Sequence, residues 1–272
     1  MKINKKISLI LFLLVFLNLN NIIGNESLDY SKSNLRYIKN EAFGFGEKLD
    51  YKIGYKYITA GYGSFEIGKE PLIKMGRKCY DVQFNVKSLK SLEWIYRVKD
   101  KYSTALDINS IIPWEFEQHI REGNFKRDFK ASFDQVQNTA IVGKESYKVP
   151  ENVHDIVSAF YYIRTMDLKN VKKDSIIMLK NFFKDTTHNL GVKILGREKV
   201  KVEAGTFKTI VIEPLVVEGG LFKSDGRLII WLTDDERKIP VKVGTKIVIG
   251  FVGAELSGYS GLRGNIDAKI NE

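Results

Sequence analysis

Hydrophobic and polar positions alternate with a period of two along most of this chain. Tyr80, Val82, Phe84 and Val86 alternate with Asp81, Gln83, Asn85 and Lys87. Phe125, Arg127, Phe129, Ala131 and Phe133 alternate with Lys126, Asp128, Lys130, Ser132 and Asp134. Val192, Ile194, Val200 and Val202 are expected to face one way, with Lys193, Arg197, Lys199 and Lys201 facing the other. A period of two is the signature of a strand with one dry face. Repeated this often, it predicts an antiparallel sheet with one solvated side. Further strands are expected over 49–58, 62–68, 94–106, 115–122, 176–184, 206–213, 227–233 and 240–252.

The pattern changes once. Within 152–168, Ile156, Ala159, Phe160 and Ile163 fall on one helical face, so a helix is expected over 154–167. Asn152 or Asp155 can cap it, because a short side-chain acceptor satisfies the unpaired N–H groups of a first turn. The loops are short and Gly-rich, as at Gly61, Gly63, Gly219–Gly220 and Gly226, and no fixed repeat is visible. About eleven strands cannot remain one flat open sheet; they must curl, close or fold over. The fold class expected is therefore mainly β: a single domain, a curled antiparallel sheet or partly open β-barrel with one central α-helix. The domain is expected over 43–260, after a polar linker at 25–42 and before a tail at 261–272.

Composition adds a destination. Lys2, Lys5 and Lys6 precede an uncharged run, Ile7 to Leu17, and Gly24 follows a mixed segment. A basic start, a short apolar stretch and a small exit residue predict a signal peptide over 1–24. The run is too short for the ~20 residues of a membrane-spanning helix. No Cys follows it, so lipid attachment is not expected. The chain has 43 Lys+Arg against 33 Asp+Glu, a net charge of +10. Removing residues 1–24 takes three lysines and no acid, leaving +7. The basic residues are spread over every strand and the protein is expected outside the cytoplasm, which argues against nucleic acid and for an anionic envelope surface. With 44% hydrophobic residues the chain has material for a sizeable core. Its single Cys, Cys79, excludes an internal disulfide and a multi-Cys zinc site, and the strand around it predicts a buried, inert thiol.

Little chemistry is visible. His119, His154 and His188 lack metal-ligand spacing, and there is no nucleophile elbow, P-loop or dinucleotide fingerprint. Gly61-Tyr62-Gly63-Ser64 lies inside a strand pattern with no helix after it, so a turn or bulge is expected there. Thr233-Asp234-Asp235-Glu236 is the densest carboxylate cluster. It reads as a turn after the strand ending at Trp231-Leu232-Thr233, since Asp at turns bonds the local backbone. A cation site or an acid–base pair is the alternative. Arg127 interrupts an apolar face; its charge must be paired or reach a solvated cavity, or the side chain extends to water at a strand end.

Several segments together resemble a known family. They are Gly46-Glu47-Lys48-Leu49-Asp50-Tyr51, Ala60-Gly61-Tyr62-Gly63, and Asp155 through Arg164. Val202-Glu203-Ala204-Gly205-Thr206-Phe207 and Gly226 through Asp235 follow, then Arg237 and Ile239-Pro240-Val241. Their order and spacing resemble the bacterial family of exported proteins called domain of unknown function 3108, from about Gly46 to Leu256. The resemblance implies an exported, largely β domain and supplies no catalytic residue.

Three functional readings follow. In the first, a non-enzymatic envelope protein holds an apolar or amphiphilic ligand, a lipid or acyl-bearing glycan, on a concave β face. In the second, an assembly factor with a filled core binds another envelope protein through a sheet edge. The third, a hydrolase built on Asp234, Asp235 and Glu213, lacks anything to activate a nucleophile. The candidate ligand-face or structural residues are Arg127, Phe129, Tyr161, Tyr162, Trp231, Asp234, Asp235 and Arg237; no catalytic residue, metal or cofactor is expected. The interior separates the first two readings: a cavity of roughly several hundred Å³ favours ligand binding.

Overall fold

A computed structural model describes residues 29–55, 58–216, 227–247 and 250–271. The expected signal peptide, the start of the linker and the glycines at 219, 220 and 226 lie outside the described residues. The first half of the chain forms β1 (Lys48–Tyr55), β2 (Ile58–Ile67), β3 (Leu72–Lys74), β4 (Arg77–Ser88) and β5 (Lys99–Asp107). It continues through β6 (Pro113–Glu122), β7 (Phe125–Asp134), β8 (Thr139–Val142) and β9 (Glu145–Lys148) to the helix α1 (Ile156–Thr165). The second half forms β10 (Ile176–Phe183), β11 (Thr186–Val202), β12 (Gly205–Val216) and β13 (Leu228–Thr233). It ends with β14 (Pro240–Ile247), β15 (Gly250–Ser260) and β16 (Lys269–Ile270).

The strands make one antiparallel sheet, ordered β10-β11-β12-β13-β14-β15-β1-β2-β4-β5-β6-β7-β8-β9, with β3 on β4 and β16 on β12. β1 joins the two halves by pairing with both β2 and β15. The sheet curls but does not close through hydrogen bonds between its end strands. Aromatic pairs bridge the seam instead: Phe129 to Phe183 at 5.2 Å, Phe133 to Phe182 at 6.0 Å and Tyr147 to Phe182 at 5.8 Å between ring centroids. His154 adds a short parallel bridge to β10: its N–H donates to Lys180 O (2.9 Å), and its carbonyl accepts from Phe182 N (2.8 Å).

The helix begins where its sequence provides a cap. The Asp155 carboxylate accepts from Val157 N (2.7 Å) and Ser158 N (2.9 Å), while Ser158 Oγ accepts from Asp155 N (3.0 Å). This reciprocal pair satisfies donors that the first turn cannot, an arrangement worth about 1 kcal/mol. Asn152 instead takes a positive φ of 55° before the helix. Ile156, Ala159, Phe160 and Ile163 then face the concave side of the sheet.

Against about eleven expected strands, sixteen are present among the described residues, because the short strands β3, β8, β9 and β16 give too few alternating positions to read as strands; the structure departs from the expected elements in four further places. Residues 94–98 precede β5 as a loop, with Trp94, Ile95 and Tyr96 exposed. The run 240–252 is a hairpin of β14 and β15, paired through Ile247 and Gly250. A register shift in β11 between Ile194 and Gly196 splits a series expected on one face. Val192 and Ile194 pack against α1, whereas Val200 and Val202 join a second cluster with Phe207 and Trp231. The described parts of the expected linker and tail are packed, because each carries apolar residues that fit the sheet. Ala42 is buried, Ile38 packs against the main core, and β16 pairs with β12 after Leu262 and Ile266 cover the second cluster.

Gly61-Tyr62-Gly63-Ser64 lies within β2, beside a register shift opposite Ile53 and Gly54. A Cβ at Gly61 would stand 2.5 Å from the Lys87 carbonyl oxygen, so the close approach of β2 to β4 requires glycine.

Candidate site: an apolar cavity between helix and curled sheet

The concave face holds a cavity of about 350 Å³. Ile156, Ala159, Phe160 and Ile163 of α1 form its floor. The β11–β14 side is aliphatic, with Leu190, Val192, Ile212, Leu228, Ile230 and Val243. On the opposite side stand Phe65, Phe84 and Tyr102, then Gln118, Ile120 and Arg127. Phe65 stacks on Phe84 (4.3 Å) and on Phe160 (5.4 Å), tying α1 to the aromatic wall.

Among the described lining residues the polar side chains stand on β5–β7, apart from Tyr51 of β1, whose hydroxyl donates to the Pro240 carbonyl (2.8 Å). Gln118 is fully buried, and neither its Oε1 nor its Nε2 has a hydrogen-bond partner. It sits directly across from Tyr102 on one side and Phe129 on the other. Burial raises the Tyr102 hydroxyl above the usual phenol range, and the Gln118 amide, close to it but outside good hydrogen-bond geometry, opposes the shift as a weak donor. Arg127 is half-buried, with its guanidinium over Phe125 (5.1 Å) and Phe183 (5.8 Å) across the seam. Its charge acts on Glu122, whose carboxyl is raised by burial and by neighbouring Asp100 and partly restored by Arg127. Arg127 therefore both lines the cavity and acts through its charge on a nearby acid.

The other expected site residues lie elsewhere. Phe129 is half-buried and packs beside the cavity against Phe116 (6.0 Å) and Phe183. Tyr161 is fully buried on the other side of α1, its ring 4.8 Å from Phe43 and its hydroxyl without a hydrogen-bond partner. The Tyr162 ring lies tilted against His154 (5.0 Å between centroids) and under the Arg36 guanidinium (4.4 Å). Trp231 packs in the second cluster, with Ile230 and Leu232 facing the helix-side core, and donates its indole N–H to Glu198.

The acidic turn is a structural clamp. Asp235 Oδ1 accepts from Thr233 Oγ1 (2.7 Å), Arg237 N (2.9 Å) and Lys238 N (3.2 Å). Its Oδ2 accepts from Ala268 N (2.9 Å), fixing the C-terminal segment. Asp234 pairs with Arg197 at 3.0 Å. The Arg237 carbonyl accepts from Arg164 (3.2 Å). Glu213 is not part of this cluster. Asp234 N binds the Lys208 carbonyl, five residues along β12 from Glu213, roughly 16 Å at the usual strand rise. A bidentate pair with Arg227 lowers the Glu213 carboxyl below its ordinary range, the opposite of what a general acid requires. No group of three metal-ligating side chains occurs among the described residues. Cys79 is buried, and burial followed by Asp107 pushes its thiol up to about 12.

The sequence pattern drew attention to Arg127, which the structure places in the cavity lining, but not to Gln118. The signal was available: Phe116, Gln118 and Ile120 occupy alternate positions, and Gln118 is the polar member of an inward row.

A curled antiparallel sheet wrapped around one helix, with an apolar cavity between them, defines a β-barrel-like protein. The chain belongs to the family described as protein of unknown function (DUF3108), whose profile matches residues 50–257. Among solved structures it is similar to a β-barrel-like protein of domain of unknown function DUF1849 from Brucella abortus. That likeness has a TM-score of 0.50 and 8% identity, and covers 84% of this chain and 99% of the other. A candidate exported protein with YmcC-like fold from Bacteroides fragilis matches at a TM-score of 0.33 and 8% identity, over 84% of this chain and all of the other (100%). A candidate lipoprotein from Parabacteroides distasonis has the same TM-score, 0.33, with 11% identity over 84% of this chain and 100% of its own. No curated protein matches.

Proposed function

We propose that this protein is an exported, non-enzymatic component of a bacterial cell envelope that holds an amphiphile by its acyl chain inside the curled sheet. The 350 Å³ cavity carries this reading. It lies within the range of small-molecule sites, about 300–1,000 Å³, and its floor and β11–β14 side are aliphatic. An assembly factor with a filled core would have no use for such a space. The loop before β5 exposes Trp94, Ile95 and Tyr96, and Tyr96 leans on the β6–β7 turn at Gly123. That end of β6 and β7 also carries Ile120 and Arg127, so the exposed residues form an apolar rim where a lipid would enter. No helix among the described residues is long and apolar enough to cross a membrane.

The test is thermal unfolding with saturated alcohols of increasing chain length, alongside mass spectrometry of lipid extracted from protein purified from its own envelope. Each buried CH₂ contributes about 0.8 kcal/mol, so the melting temperature should climb with chain length and then level off once the cavity is full. Ala254→Phe, which places a ring in the cavity wall, should flatten the series. No chain-length dependence, together with no co-purifying lipid, would shift the reading to an assembly factor.

A further inference from the structure

Resting on the amphiphile-binding reading, we infer that Gln118 is the head-group anchor of the site and selects an acyl or alkyl chain bearing an uncharged group that both donates and accepts hydrogen bonds, a hydroxyl or carboxamide. The inference begins with a discrepancy. A buried amide almost always has partners, because leaving its donor and acceptor unmet costs about 1–3 kcal/mol. Gln118 is fully buried, lines the cavity, and has neither amide atom in hydrogen-bonding geometry with another group, although the Tyr102 hydroxyl lies close enough for the amide to act on it. Its position in an inward row between Phe116 and Ile120 would suit any aliphatic residue. The protein itself does not meet this amide, a cost that a ligand can recover.

Its surroundings narrow the ligand. The cavity is polarised: Gln118, the Tyr102 hydroxyl and Arg127 stand on the β5–β7 wall, and the β11–β14 wall and the helix offer aliphatic and aromatic carbon. A bound amphiphile is thus oriented, with its head at Gln118 and its chain along α1 toward Val192, Ile212 and Ile230. A carboxylate is a poorer fit than a neutral head. Among the described lining residues Arg127 is the cation of this wall, and its charge already acts on Glu122, an acid influenced in turn by neighbouring Asp100. A carboxylate would add a negative charge to this pair while only accepting from Gln118, leaving the amide oxygen unmet. A hydroxyl or carboxamide meets both amide atoms and adds no charge. At about 30 Å³ for a group the size of water, the cavity takes a chain on the order of a dozen carbons.

The experiment compares dodecan-1-ol, dodecanoate and dodecane as ligands of the full mature protein at neutral pH, by competition against a fluorescent alkyl probe. Wild type should bind the alcohol roughly tenfold more tightly than the alkane or the carboxylate, the gain expected from pairing an otherwise unmet amide. Gln118→Met, of similar shape and without the amide, should bind the alcohol no more tightly than the alkane while keeping its affinity for the alkane. The same variant should melt at a higher temperature than wild type without ligand, which also shows that it folds; Gln118→Leu serves as a second apolar replacement. Equal binding of all three compounds by wild type, tighter binding of dodecanoate, or a Gln118→Met protein that still prefers the alcohol would each overturn the anchor while leaving chain binding in place. Failure of every compound to bind would remove the amphiphile reading itself, and the anchor with it.

Discussion

The Arg164 guanidinium grips the Glu47 carboxylate through two hydrogen bonds of 2.6 and 2.9 Å, although the residues are 117 positions apart in sequence. Both side chains are almost wholly buried, at 0% and 1% exposure. Burial alone would disfavour the Arg164 charge; the Glu47 charge and hydrogen bonds outweigh it, raising the arginine above its ordinary value. The guanidinium also lies over Phe43 (5.2 Å) and Tyr161 (5.1 Å) and donates to the Arg237 carbonyl. One side chain at the end of α1 thereby ties the helix to the strand entering β1 and to the turn before β14.

Breaking that pair should be costly. Glu47→Gln leaves a buried cation without its countercharge, and about 3–5 kcal/mol of stability should be lost. Urea unfolding of the two proteins checks this. The double variant Glu47→Leu/Arg164→Met should recover much of the loss, since apolar replacement removes both buried charges together.

A gradient of burial runs along one face of β7. Phe133 is fully buried, Phe129 is half-buried and Phe125 is 46% exposed. Phe133→Ala should therefore cost about 3–5 kcal/mol, Phe129→Ala less, and Phe125→Ala within about 0.5 kcal/mol. Equal shifts in chemical denaturation would contradict the direction in which this strand leaves the core.

The adjacent acids Asp234 and Asp235 should separate sharply on mutation. Asp235→Ala removes the acceptor for four donors, and about 1–3 kcal/mol should be lost, with faster hydrogen exchange at Ala268. Asp234→Ala breaks an ion pair with Arg197, with side chains 30% and 36% exposed, and should change stability by ~0–1 kcal/mol. Calcium or magnesium should leave the melting temperature of wild type unchanged, because the Asp235 oxygens are already occupied by donors.

Two neighbouring groups should give opposed responses to acid. His154 is fully buried, and burial, then the nearby Arg36 charge, lowers it to about 3 from the usual 6.5. The unfolded chain takes up this proton first, so His154 loses stability for the fold as pH falls from about 6.5 toward 3, by up to ~1.4 kcal/mol per pH unit. Asp155 is raised by burial to about 6, with hydrogen bonds from Thr104, Ser158 and Val157 opposing the shift. Here the folded protein takes up the proton first, and stability is gained as pH falls through about 6 to 4. The two contributions should largely cancel between pH 6 and 4, so His154→Gln should lose less stability than wild type, or gain some, on acidification across that window. Chemical unfolding at a series of pH values checks both slopes.

Much of the fold was legible because its signals are local. Alternation along 80–87 and 125–134 reports strands directly, since successive side chains in an extended chain point to opposite faces. Ile156, Ala159, Phe160 and Ile163 likewise declare the inner face of α1, and Asp155 its start. The candidate site was legible only in part. Arg127 stood out as a charge in an apolar row, but Gln118 stands in an equally apolar row and became informative only when neighbouring strands were found to leave its amide unmet.

The sequence by itself determined the strand and helix periods, the cap at Asp155 and the turn chemistry of Asp235, because each depends on residues a few positions apart. The tertiary structure decided which faces meet. A register shift within β11 sends Ile194 and Val202 to different clusters, and Trp231 lies away from the helix-side core that receives Ile230. It also decided that Glu47 meets Arg164, that Ala268 reaches Asp235, and that the curled sheet leaves a cavity above α1. These depend on sheet curvature and on pairings across 33 residues in one case and 117 in the other, and a period of two reads the same whether the inward face meets another side chain or open space.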